Sequence, residues 1–142
     1  MGETLGRELV TELGFGRPKT QFGLTADGRT AWCDLRLGRH VFEFDGRVKY
    51  QRVEEGGFAL TSADQVVWRE KQRENWVCGF HLGMSRIVWA DFWGDRRQLA
   101  LARFRREFLQ TRERFGDSVE DLAQFRPRGP RPRPGRRPNT AA

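Results

Sequence analysis

Apolar and polar residues alternate over residues 32–45, which predicts two short β-strands joined by a tight turn at Gly38-Arg39. A two-residue turn fixes the register of an antiparallel pair. The expected pairs are Leu37 with His40, Leu35 with Phe42, Cys33 with Phe44, and Asp34 with Glu43. This register brings acidic side chains together on one face of a sheet.

Asp34, Glu43 and Asp45 form that acidic face, since Asp45 follows Glu43 by two residues along its strand. Directly opposed strand positions bring Cβ atoms to about 4.5–5.5 Å, where like charges destabilise the pair. A divalent cation between the carboxylates would offset this repulsion. The alternative is a second hairpin over residues 42–50 with an Asp-Gly turn, in which the acids face water.

Apolar residues at helical spacing predict helices on both sides of these strands. The predicted order is a helix over 3–13, a strand from 21–24 turning at 26–28 into the strand through 34, the strand carrying Glu43 and Asp45, a long loop over 46–61, a helix over 62–78, a strand over 86–89 and a helix over 98–115. The predicted buried stripe of the last helix is Leu101, Phe104, Phe108 and Leu109. The expected class is α/β, with a three-stranded meander in a sheet flanked by helices.

The length of 142 residues suits one domain, and eleven Phe and five Trp can supply its core. We expect a globular domain over residues 1–125. Residues 126–142 hold five of the six prolines and six arginines without an acid, leaving a charge of only +1 for the rest of a chain whose net charge is +7. This composition predicts a disordered, extended tail.

The basic tail, which includes Arg131 and Arg133, could bind nucleic-acid phosphates without sequence preference. Its alternative role is to keep the protein soluble. The composition alone does not decide between the two.

The cysteines and histidines of the chain do not have the spacing of a zinc site or a disulfide framework. Cys33 is expected to be a buried free thiol. Because the sequence shows no targeting signal and no apolar run near about 18 residues, we expect no membrane association and a cytoplasmic location.

A positive side chain near the carboxylates is expected from Lys71, on the second helix, or from Lys49, beyond the strand that carries Asp45. Such a cation could stabilise the charge that develops during phosphodiester cleavage. Alternatively, each lysine lies on a solvated face and forms weak surface pairs.

The succession of Asp34, Glu43-x-Asp45-Gly46 and residues 70–74 and 86–91 resembles the restriction-endonuclease-like superfamily with its PD-(D/E)xK motif. It is most similar to uncharacterised domains related to very-short-patch-repair endonucleases, which occur at the C-terminus of actinobacterial AbiEi-type antitoxin proteins. The resemblance covers residues 3–115 and implies a restriction-endonuclease-like core.

The resemblance implies that Asp34, Glu43 and Asp45 hold Mg²⁺ or Mn²⁺, with Glu3 on the first helix as a further acid of the site. It also implies that Lys71 or Lys49 acts in catalysis, because Asp45 stands where the motif has its lysine. Arg73 and Arg86 would contact the DNA backbone.

The implied activity is metal-dependent hydrolysis of DNA phosphodiester bonds, in phage defence or DNA repair, without an organic cofactor. The aspartate at position 45 motivates an alternative: a catalytically inactive DNA-binding module of an AbiEi-type antitoxin or regulator. The sequence gives no target site and no oligomeric state.

Overall fold

The computed structural model describes residues 2–46 and 57–133, without the side chains of 57–62. This part of the chain is a mixed α/β structure, as predicted. Its helices are α1 (Gly2–Thr11), α2 (Gly57–Cys78) and α3 (Gly94–Phe115), its strands are β1 (Phe22–Ala26), β2 (Arg29–Cys33), β3 (Leu35–Leu37), β4 (His40–Phe44) and β5 (Gly83–Ile87), and its 3₁₀ helices are Trp89–Phe92 and Glu120–Phe125.

The first sheet is the antiparallel hairpin of β1 and β2. Its turn residues Asp27 and Gly28 both have positive φ, 53° and 74°, which is the backbone of a turn whose twist matches that of the flanking strands. The predicted turn at residues 26–28 is confirmed.

The second sheet has the order β3-β4-β5 and is mixed, since β4 pairs antiparallel with β3 and parallel with β5. Gly38, with φ of 55°, forms the tight turn between β3 and β4. The predicted pairs Leu37 with His40 and Leu35 with Phe42 are confirmed.

The prediction of one three-stranded meander is wrong, because the chain bends at Asp34 and divides into β2 and β3, which belong to different sheets. Cys33 consequently pairs with Phe22 rather than with Phe44. The reason is local: at Asp34 hydrogen bonds through side chains replace the bonds of a continuous ladder, as described below.

Several element boundaries also differ from the prediction. The second helix begins at Gly57 rather than at residue 62, and the third begins at Gly94 rather than at residue 98. The last strand is Gly83–Ile87 instead of 86–89, because the chain turns after Val88, whose N–H donates to the Asp91 carboxylate at 2.9 Å. Residues 47–56 of the predicted loop, and the Asp-Gly hairpin over 42–50 beyond Gly46, lie outside the described residues.

Two apolar clusters cover the two faces of the mixed sheet. One joins α1 and α3 to the sheet and is centred on Leu9, Phe42 and Phe104. The other includes Val41 and Val77 and lies on the opposite face, toward α2. Phe104 and Phe108 are buried as predicted, whereas Leu109 is 42% exposed and was wrongly assigned to the core.

The alternation along β4 decides where its acid points. Val41 and Glu43 are two residues apart, so both lie on the face toward α2, while Phe42 lies on the other. Among the described residues, no helix is long and apolar enough to cross a membrane.

Candidate functional site

A cleft of about 560 Å³ opens where the bend at Asp34, the end of β4 and one side of α2 meet. Charged residues of both signs line it. The acids are Asp34, Glu43, Asp45 and Glu70, and the bases are Arg73, Arg86 and Arg131. Three acids predicted to act together from the sequence are therefore neighbours in space.

Asp34 and Glu43 hold each other in place through the backbone. The Asp34 N–H donates to Glu43 Oε2 at 3.1 Å. In return, the Phe44 N–H donates to Asp34 Oδ2 at 3.0 Å. These two bonds explain the bend, since both carboxylates satisfy backbone donors that a regular strand would pair with carbonyls.

Glu43 is only 5% exposed, so the interpretation that it faces water is wrong. Burial raises the pKa of Glu43 from 4.5 to about 7, with a further rise from the charge of Asp34 and a lowering from Arg73. Loss of hydration is thus the main reason why the charged form of Glu43 is disfavoured, although Arg73 is paired with it. A perturbed acid in a cleft is a common mark of a functional site.

Arg73 supplies the positive charge that was expected from a lysine. From α2 its Nη2 donates to Glu43 Oε1 at 2.8 Å, and also to the carbonyl oxygen of Trp32. Arg73 was predicted to contact DNA, and in the structure it fixes the orientation of Glu43.

The two candidate lysines do not line the described part of the cleft. Lys71 is exposed on α2, so the expectation that it points toward the carboxylates is wrong. Lys49 lies outside the described residues. No described residue of the cleft is a lysine that could take the predicted catalytic role.

Asp45 and Glu3 line two different cavities beside Asp34. Asp45 lines the cleft, and its N–H donates to the Ile87 carbonyl at 2.8 Å, which continues the pairing of β4 with β5. Glu3 is exposed on α1 and lines a neighbouring cavity of about 140 Å³, which Asp34 also lines.

The remaining arginines predicted to bind DNA line the cleft or the smaller cavity next to it. Arg86 lines the cleft, with Nη2 at 3.8 Å from Glu70 and 3.7 Å from Glu74. Arg131 Nη1 donates to Asp34 Oδ1 at 3.0 Å, and Arg133 lines the smaller cavity. Sequence analysis missed the pairing of Arg131 with Asp34, because no local pattern links residues 97 positions apart.

The donor chemistry of the cleft suits a hard divalent cation, which prefers carboxylate oxygens. The two oxygens of Asp34 and the two of Glu43 nevertheless each have a protein donor already. Within the described ranges, no three His, Cys, Asp or Glu side chains are grouped closely enough to hold a metal ion. An ion at Asp34 would therefore replace Arg131, and a third ligand would come from Asp45 or from water.

Cys33 is a buried free cysteine, as predicted. It belongs to the apolar cluster of Val41 and Val77, on the same side of the sheet as Glu43, and the expectation that it lies beside Phe42 and Phe44 on the opposite face is wrong. Burial, with a contribution from Glu43, raises the pKa of its thiol to about 12. Because the thiolate is the reactive form, Cys33 is an inert core residue.

A second polar cluster lies between the mixed sheet and α3, away from the cleft. His40 is 2% exposed, and its two ring nitrogens lie 2.7 Å from Ser85 Oγ and 2.7 Å from Thr111 Oγ1. Burial lowers the pKa of His40 to about 4, so the ring is neutral. Since Ser85 donates to Glu107 Oε1, the neutral ring of His40 donates from Nε2 to Ser85 Oγ.

Comparisons with known proteins identified no relative of this chain. No protein-family model, no curated protein and no solved structure matches the chain.

Proposed function

We propose that the protein is a metal-dependent endonuclease that hydrolyses DNA phosphodiester bonds. The observation that carries the proposal is the meeting of Asp34, Glu43 and Asp45 in one cleft, with two buried or half-buried carboxylates held together by backbone donors. Burying two neighbouring acids is costly. A cation bound at the two carboxylates would offset that cost.

The arrangement of elements also supports the proposal. A helix is followed by the hairpin of β3 and β4 that carries the acids, then by α2 and by β5 parallel to β4. The resemblance to the restriction-endonuclease-like superfamily and its PD-(D/E)xK motif implies a helix, three strands, a helix and a strand. Here the second of those three strands is divided into β2 and β3, which lie in different sheets. The specific topology of that superfamily is part of the proposal.

Asp34 and Glu43 would hold Mg²⁺ or Mn²⁺, with Asp45 as a further acid that lines the same cleft. When bound, the ion would supply an acidified water and positive charge for the phosphate. Arg73 keeps Glu43 oriented through its hydrogen bond to Oε1. Arg86, at the cleft wall, is placed to neutralise a phosphate oxygen of the substrate.

A DNA-binding module without catalysis, as in an AbiEi-type antitoxin or regulator, is the second candidate. It is favoured by Asp45 at the motif's lysine position and by the absence of a lysine among the described residues of the cleft. Arginines at the cleft would then bind phosphates while the acids stay paired with Arg73 and Arg131.

Nicking of supercoiled plasmid in Mg²⁺, in Mn²⁺ and in EDTA separates the two functions. The endonuclease should nick only with the metal, and Asp34→Asn should abolish nicking while circular dichroism shows an unchanged fold. Asp64→Asn is the matched control, because Asp64 is exposed on α2 and does not line the cleft. Equal DNA binding in EDTA without nicking would establish the binding module instead.

A further inference from the structure

The last described residues form a strap across the mouth of the cleft. This C-terminal strap, residues 126–133, follows the 3₁₀ helix whose Leu122 is buried in the core. Arg126 lies over the ring of Phe22 at 4.9 Å and donates to the Gln21 carbonyl at 3.3 Å. The strap thus begins on β1, in contact with the folded domain.

The middle of the strap is held at two more points of the first sheet. Pro127 packs on Gly23, where an added Cβ would lie 2.9 Å from Pro127 Cγ. The Arg131 N–H donates to Gln21 Oε1 at 2.8 Å. These contacts fix the direction in which the Arg131 side chain leaves the strap.

Arg131 ends on the acids of the cleft, where Nη1 lies 3.0 Å from Asp34 Oδ1. Asp34, Arg131 and Pro132 line both the cleft and the smaller cavity that contains Glu3. The strap therefore lies at the boundary between the two cavities and contributes Arg131 and Pro132 to both.

We propose that the strap is an autoinhibitory closure, in which the guanidinium of Arg131 occupies the oxygen of Asp34 that a divalent cation would use. The inference rests on the proposed function, since it concerns the same metal site. The positive charge of Arg131 beside this oxygen opposes the binding of a second cation there.

The strap can open without disturbing the core. The side chains of Arg131 and Asp34 are 29% and 18% exposed, and Gln21 is itself exposed. The Arg131–Asp34 pair is half-buried, and the remaining contacts of the strap are one cation–π contact, one proline contact and single hydrogen bonds to Gln21. The buried anchor Leu122 precedes the strap, so the strap can swing away while the domain stays folded.

Binding of Mn²⁺ to the full-length protein, measured by electron paramagnetic resonance of the free ion, tests the closure. Arg131→Gln should lower the apparent dissociation constant for Mn²⁺, by about threefold for a strap that is closed about two thirds of the time. Arg128→Gln removes the same charge from an exposed strap residue that does not line the cleft, and should bind Mn²⁺ like the wild type. Equal affinities for Arg131→Gln and the wild type would overturn the closure.

Asp34→Asn separates this failure from a failure of the proposed function. If Asp34→Asn loses Mn²⁺ binding while Arg131→Gln matches the wild type, the metal site stands and the closure is wrong. If Asp34→Asn binds Mn²⁺ as the wild type does, the ion is not at Asp34, and both proposals are wrong.

Hydrogen exchange at the Arg131 amide tests the docking of the strap without any metal. Its N–H is held by Gln21 Oε1, so exchange should be faster in Asp34→Asn than in the wild type. Unchanged exchange would show that Asp34 does not hold the strap, which contradicts the closure.

Discussion

Replacing Glu43 by glutamine should remove a loss of stability that the wild type shows between pH 4.5 and 7.5, although it also removes a central acid of the cleft. The pKa of Glu43 is raised from 4.5 to about 7 by burial and by Asp34. The folded state therefore holds this proton more tightly than the unfolded state. The protonated Glu43 side chain makes its full contribution to the free energy of unfolding below pH 4.5, and this contribution is lost as pH rises to about 7.

The size of the effect follows from the shift. Each pKa unit corresponds to about 1.4 kcal/mol, so ionising Glu43 in the folded state costs about 3 kcal/mol at pH 7.5. Glutamine is never ionised, but its single carbonyl oxygen can accept from only one of the two donors, Arg73 and the Asp34 N–H, and this loss does not depend on pH. The variant should gain about 3 kcal/mol of unfolding free energy relative to the wild type between pH 4.5 and 7.5.

Urea unfolding followed by tryptophan fluorescence at several pH values from 4.5 to 7.5 measures this difference. Glu113→Gln, an exposed position on α3, is the matched control and should show no such trend. A difference between Glu43→Gln and the wild type that is the same at pH 4.5 and 7.5 would refute the reasoning.

Three further predictions concern residues that stabilise the fold outside the cleft. The pKa of His40 is lowered from 6.5 to about 4 by burial, so its stability contribution of about 3 kcal/mol is present above pH 6.5 and lost as pH falls toward 4. His40→Gln should remove this acid sensitivity in urea titrations, and an unchanged profile would contradict it. Gly83→Ala places a Cβ 1.9 Å from Thr111 Oγ1, so calorimetry should show a loss of about 2–3 kcal/mol; a wild-type melting temperature would contradict the packing. Arg39 is 5% exposed and donates to Asp121 and to three backbone carbonyls, so Arg39→Met should cost about 3 kcal/mol in urea unfolding, and a neutral result would refute that role.

The hairpin that carries Glu43 could be predicted because local rules determine it. Gly38 adopts the positive φ that a tight turn needs, and the alternation of β4 then places Glu43 on one face. The bend at Asp34 could not be predicted in this way. It depends on side-chain bonds between Asp34 and the end of β4, which an alternating pattern does not reveal.

The positively charged side chains of the cleft could likewise not be predicted from local sequence patterns. Lys71 and Arg73 are two positions apart on α2, about 200° around the helix, so only one of them can face the acids. Which one does so depends on how α2 packs on the sheet, and in the structure it is Arg73. Arg131 reaches Asp34 from the other end of the chain, a tertiary contact without a local signal.

An anomalous difference map from a crystal soaked in Mn²⁺ tests the central claim most directly, namely that Asp34 and Glu43 form a divalent metal site. The account predicts one strong peak within about 2.5 Å of a carboxylate oxygen of each residue, with the Arg131 side chain displaced from Asp34. A map without a peak there, with Arg131 still paired to Asp34, would contradict it.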